Sequence, residues 1–111
     1  MREELKGMWA GETGQGMKCG KIRLSRHALQ RMFEREISPE DVRSVVMAGE
    51  IVEQYPDDTP YASALLLGWV GRRPVHVVVA RDPDTAECYV ITAYEPESGL
   101  WSEDFKGRRQ P

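Results

Sequence analysis

The sequence predicts an α+β domain made of a short first strand, two helices, and an antiparallel sheet of three to four strands. Two observations carry that expectation. The apolar period is helical from Arg26 to Ala48 and becomes extended after Gly49. Strongly β segments then follow, separated by the turn-forming stretches Gly71-Arg-Arg-Pro74 and Asp82-Pro-Asp-Thr-Ala-Glu87.

Residues 1–20 read as a mobile lead-in. Residues 2–9 suit a turn or two of helix, and Gly11, Gly14, Gly16 and Gly20 then break regular structure. Lys21-Ile-Arg-Leu24 alternates polar and apolar side chains, as a short edge strand does. Ser25 can cap a first helix from Arg26 to about Arg35. At about 100° per residue, Leu29, Met32 and Phe33 cluster and are predicted to face the sheet. His27 and Arg31 fall nearly opposite, with Arg35 at the margin of that polar side. The second helix has a sharper start. Ser38 stands at the N-cap, Pro39 at the first helical position, and Asp41 where a capping box places its acid. Val42, Val45 and Val46 form its buried stripe, and Gly49 stops it.

Ile51 to Tyr55 reads as a strand, and Pro56-Asp-Asp-Thr-Pro60 as a rigid turn. Ala64 to Val70, Val75 to Arg81 and Cys88 to Tyr94 form an antiparallel meander. Both of its faces are apolar, with Leu65, Leu67 and Trp69 on one and Leu66, Gly68 and Val70 on the other. One face packs on the helices. The other needs a cover, which the tail, a second copy or a partner can supply. A homodimer or tight hetero-complex is therefore expected. The organisation is a lead-in over 1–20, one α+β domain over 21–105, and a basic tail over 106–111.

A chain of 111 residues can build one core but not two. Its net charge of −3 excludes a protein that coats nucleic acid by bulk electrostatics. The charges are nevertheless segregated. Lys21, Arg23, Arg26, Arg31 and Arg35 fall together, a run of acids follows from Glu36 to Asp58, and Lys106, Arg108 and Arg109 close the chain. Such segregation permits a local anion site on an acidic molecule, although a solvated face gives the same pattern. Cys19 and Cys88 are too few for a zinc motif. Cys88 reads as a packed thiol, Cys19 as an exposed or mildly reactive one, and a reduced, cytoplasmic protein without membrane association is expected. Phosphate-loop and dinucleotide fingerprints are missing, as are paired metal-ligand motifs, so neither cofactor nor metal is expected.

His76 interrupts Val75-x-Val-Val-Val79 and reads either as a core histidine with one hydrogen bond or as a desolvated proton carrier. Simple pairing about the 82–87 turn puts Tyr94 and His76 on opposite sheet faces, and a bulge would bring them together. Trp101 and Phe105 are expected to staple the tail to the sheet rather than stack on bases. Arg72 and Arg73 read as solubilising charge at a hairpin tip.

Five ordered blocks resemble the bacterial family grouped as domain of unknown function 4258. They are His27-Ala-x-x-Arg31-Met-x-x-Arg35-x-Ile-Ser, Tyr55-Pro-Asp-Asp-x-Pro-Tyr61, Leu65-Leu-Leu-Gly, Pro74-Val-His-Val-Val-Val-Ala80 and Val90-Ile-Thr-x-Tyr94-Glu-Pro. That family in turn distantly resembles RelE/ParE/BrnT-like toxins. The resemblance implies a RelE/BrnT-like fold and a toxin-like component of a toxin–antitoxin pair acting as a metal-independent ribonuclease. RNA or ribosome and an antitoxin protein would be its partners. Such cleavage needs a base, an acid and cations on the phosphate. His27, Arg31, Arg35, His76 and Tyr94 are the catalytic candidates, and Lys106 and Arg108 the nucleic-acid-binding ones. The alternative is a non-catalytic module that binds protein or nucleic acid with the same sheet and basic helix, or a homo-oligomeric domain without enzymatic role.

Overall fold

The computed structural model describes residues 15–109. The residue 2–9 helix expected from the sequence lies outside them. The element order is β1 (Lys21–Leu24), α1 (Arg26–Glu34), α2 (Pro39–Ala48), β2 (Glu50–Tyr55), β3 (Ser63–Val70), β4 (Arg73–Arg81) and β5 (Glu87–Tyr94). The fold is α+β. One five-stranded sheet runs in the order β1-β5-β4-β3-β2. Strands β2 to β5 form the antiparallel meander, and β1 joins its far edge parallel to β5.

Both helix starts follow their capping signals. The Ser25 hydroxyl accepts from the Ala28 amide at 3.0 Å, and the Ser38 hydroxyl from the Asp41 amide at 3.1 Å. These contacts satisfy amides that have no partner within the helix. Helix α2 buries Val42, Val45 and Val46 against Ala64, Leu66, Val75, Val77 and Val79 of the sheet. The approach is close enough that a Cβ on Gly68 would lie 2.4 Å from a Val45 methyl.

Helix α1 departs from the expected face. Ala28 and Met32 are buried, whereas Leu29 is 40% and Phe33 84% exposed. Residues 28 and 32, like 29 and 33, are four apart, so periodicity alone cannot say which pair turns inward. Helix α1 lies over β5 while α2 fills the face over β3 and β4, and only a narrow stripe of α1 is buried.

The two cysteines are joined, contrary to the expectation of free thiols. Cys19 and Cys88 form a disulfide with 5.6 Å between their Cα atoms. Parallel pairing sets Ile22 opposite Cys88, and the Gly20 amide donates to the Ala86 carbonyl at 2.9 Å, which folds the preceding residues alongside β5. Residues 15–20 are also tied to the end of α2. The Gly16 amide donates to the Gly49 carbonyl and the Met17 amide to the Val46 carbonyl, with Met17 buried beneath them. Gly16 has φ +73°, and a Cβ there would lie 1.9 Å from the Met47 carbonyl oxygen.

The sheet face opposite the helices is covered by the chain's own tail. Leu65, Leu67 and His76 on that face are buried, and Trp101 lies on them at 2% exposure. Trp101 and Arg108 form an antiparallel bridge that closes the tail into a compact loop. Phe105 meets Trp69 edge-on at 5.9 Å. The tail aromatics thus staple it to the sheet, while Leu100 stays 59% exposed.

Candidate functional site

The register between β4 and β5 decides which side chains meet. Val79 pairs with Val90 and Val78 with Thr92, so Ile91 is the extra residue of a bulge. One inserted residue flips every later side chain. Tyr94 is thereby set directly opposite His76 on the tail-covered face. Their ring centroids lie 5.4 Å apart, edge to face.

His76 is fully buried. Trp101 packs on it at 4.4 Å, nearly perpendicular. Its Nε2 lies 2.8 Å from the Phe105 carbonyl oxygen. A carbonyl only accepts, so Nε2 carries the hydrogen and Nδ1 holds a lone pair, and that Nδ1 has no partner among the described residues. Burial holds the imidazole below its usual pKa, against smaller opposing effects of the Phe105 carbonyl and Glu53. His76 is therefore neutral near pH 7, sealed beneath the tail, and its one N–H is committed to the backbone.

Tyr94 is half-buried at the edge of the tail. Burial raises its phenol pKa, with Arg108 pulling the other way. At neutral pH it is a hydrogen-bond or proton donor. Arg35 ends α1 and reaches β5, where its Nη1 donates to the Ala93 carbonyl at 2.8 Å and to the Thr92 hydroxyl at 3.2 Å. Arg108 lies over the Trp101 ring at 4.6 Å and faces Glu53 at 3.5 Å. Arg35, Tyr94, Trp101 and Arg108 line one open cleft between the end of α1, the end of β5 and the tail. Arg73, Glu95 and Glu97 line it too, so a phenol hydroxyl and three guanidinium groups stand against two carboxylates, and the excess of donors suits an anion.

The remaining sequence candidates lie elsewhere. His27 is exposed on α1, and Arg31 makes a 3.7 Å contact with Glu34 at half exposure. Lys106 pairs with Glu50 at 3.1 Å, on the part of the tail that borders Trp69. Of the five catalytic candidates, the structure brings together Arg35, His76 and Tyr94. Arg108 joins them and Lys106 does not.

Four residues at this site were not singled out as part of it from the sequence. Arg73 is a clamp rather than a solubilising charge. Its guanidinium donates to the carbonyls of Arg35 and Glu36, each at 2.6 Å, and pairs with Glu95 at 2.7 Å. It fixes the end of α1 to the sheet and lines the same cleft. Glu53 and Tyr55 lie two apart on β2 and so share a face. The Tyr55 hydroxyl donates to Glu53 at 2.5 Å, and burial, then Glu53, pushes the phenol up to about 12. A glutamate and a tyrosine at alternate positions of a half-apolar strand were the available signal. Trp101 had been read only as a staple, and it also forms a wall of the cleft. Among the described residues, no group of three or more His, Cys, Asp or Glu could hold a metal ion. Among them also, no helix is long and apolar enough to cross a membrane.

No curated protein and no solved structure matches the chain. A family model described as Domain of unknown function (DUF4258) matches residues 24–95, from the end of β1 to just past β5. The chain belongs to that family.

Proposed function

We propose that the protein is an RNA-binding, toxin-like component of a bacterial toxin–antitoxin pair, with the cleft between α1, β5 and the tail holding an RNA phosphate. The observation that carries this reading is the convergence of Arg35, Tyr94 and Arg108 on one cleft, where with Arg73 the guanidinium groups outnumber the carboxylates of Glu95 and Glu97. The guanidinium groups of Arg35 and Arg108 supply charge-assisted donors. In the ribonuclease form of the reading, the 2′-oxygen attacks the phosphate as solvent water takes its proton, the protonated Tyr94 phenol gives its proton to the leaving 5′-oxygen, and Arg35 and Arg108 stabilise charge on the phosphate.

A second reading, the non-catalytic binding module, draws support from His76. Its burial and its bond to Phe105 remove the imidazole from any bound substrate while the tail is in place. A reduced, cytoplasmic protein was expected, and the Cys19–Cys88 disulfide corrects the reduced state of its cysteines.

Fluorescence anisotropy with a short single-stranded RNA separates these cases from a protein without an RNA site. Arg35→Gln should weaken binding and lower the salt slope by about 0.7, the value for one lost phosphate contact to a single strand. Tyr94→Phe should leave binding nearly intact and, if the protein cleaves, slow cleavage of RNA in an assay that includes ribosomes. Binding without cleavage selects the module. No binding by the wild type at low salt refutes the toxin reading and the RNA-binding form of the module.

A further inference from the structure

Phe33 is the most exposed large apolar side chain among the described residues, at 84%, on a helix otherwise anchored to the core. It does not stand alone. Leu29, one turn earlier, is 40% exposed. Both border a groove completed by Ile37, Ser38 and Pro39 at the start of α2. A contiguous apolar patch beside a groove marks an interaction surface more often than a scattered exposed residue does.

The charges beside this patch say what fits it. At about 100° per residue around α1, Phe33 lies between Leu29 on one side and Arg26, Gln30 and Glu34 on the other. The flank is positive at its N-terminal end and negative at its C-terminal end. Arg26 and Glu34 stand four residues to either side of Gln30.

We propose that this face binds a second copy of the chain, α1 against α1, antiparallel about a two-fold axis near Gln30. That axis sets Arg26 against the partner's Glu34, and by symmetry the same pair forms a second time. Phe33 then packs against the partner's Leu29, at the mouth of the partner's groove. An isologous contact requires a patch that holds its own complement, and a flank of single sign would repel itself. Among the described residues, Glu34 is engaged only by its helix neighbours Gln30 at 3.4 Å and Arg31 at 3.7 Å, both exposed contacts that cost little to rearrange. The sheet face from which self-association was first expected is occupied by Trp101 and Phe105, so the interface moves to the helix. One short helix and one groove make a small contact, and small contacts are weak, so the dimer dissociates in the micromolar range.

Sedimentation velocity of the full chain, from low to high micromolar concentration, tests this. The wild type should pass from monomer to dimer across that range. Phe33→Asp should raise the dissociation constant at least tenfold, with an unchanged melting temperature because the side chain is already exposed. Arg26→Glu and Glu34→Arg should each weaken the dimer severalfold, and the two together should restore it. Circular dichroism of each variant checks that α1 is intact. A wild type that stays monomeric throughout overturns the proposal. So does a dimer that survives Phe33→Asp, or a charge-swapped double variant no tighter than either single one.

Discussion

Reducing the Cys19–Cys88 bond should destabilise the fold substantially. The bond closes a loop with a sequence separation of 69 residues. In the chain-entropy model a loop of that length removes about 15 cal/mol/K from the unfolded ensemble, or about 4.4 kcal/mol at 25 °C. At about 2.1 cal/mol/K per residue, unfolding a chain of this length carries about 0.23 kcal/mol/K. The melting temperature should therefore fall by about 15–20 °C on reduction. Differential scanning calorimetry with and without dithiothreitol reads this directly, since reduction leaves every side chain in place. A Cys19→Ser/Cys88→Ala variant is the control and should melt near the reduced wild type whether or not reductant is present. A fall of less than about 5 °C would refute the assigned role of the bond. Two free thiols titrated in the unreduced, denatured protein would refute the bond itself.

Three further outcomes follow from the packing and the site. Met32→Ala should cost about 2–5 kcal/mol in urea melts, as buried methionines do, and Phe33→Ala less than about 0.5; equal costs would mean that α1 is rotated. Gly68→Ala should cost about 1–3 kcal/mol, because its Cβ would meet Val45 and α2 must shift to admit it. A neutral result would show that α2 packs less tightly over β3. The third outcome concerns pH. His76 has a folded pKa below its usual value, so the unfolded chain takes up its proton first, and its contribution is full above about 6.5 and lost as pH falls toward the folded pKa. Stability measured by denaturant at pH 7.5 and 5.0 should therefore drop more in the wild type than in His76→Phe. Identical drops would place that acid sensitivity elsewhere.

Much of this molecule was determined by local chemistry legible in the sequence. The Ser25 and Ser38 caps, Pro39 at the start of α2, and the change from helical to alternating period after Gly49 each depend on residues within a few positions of one another. That is why the element order and the α+β class followed from the sequence. The valine stripe of α2 was equally legible, since three valines share one face and only Met47, which stays exposed, lies opposite. Where two answers shared a period, the sequence could not choose. Ala28/Met32 and Leu29/Phe33 have the same spacing, and only the position of α1 over β5, with α2 already filling the neighbouring face, turned the first pair inward. The candidate site was decided almost wholly by tertiary structure. Whether Tyr94 faces His76 rests on the single bulged residue Ile91, which no propensity marks. Whether Arg108 reaches the cleft, and whether His76 is open or sealed, depends on the tail folding back over β3 and β4. Cys19 finds Cys88 only because β1 pairs beside β5. Pairings between residues far apart in the chain reflect competition among whole packing arrangements, and no window of neighbouring residues contains that information.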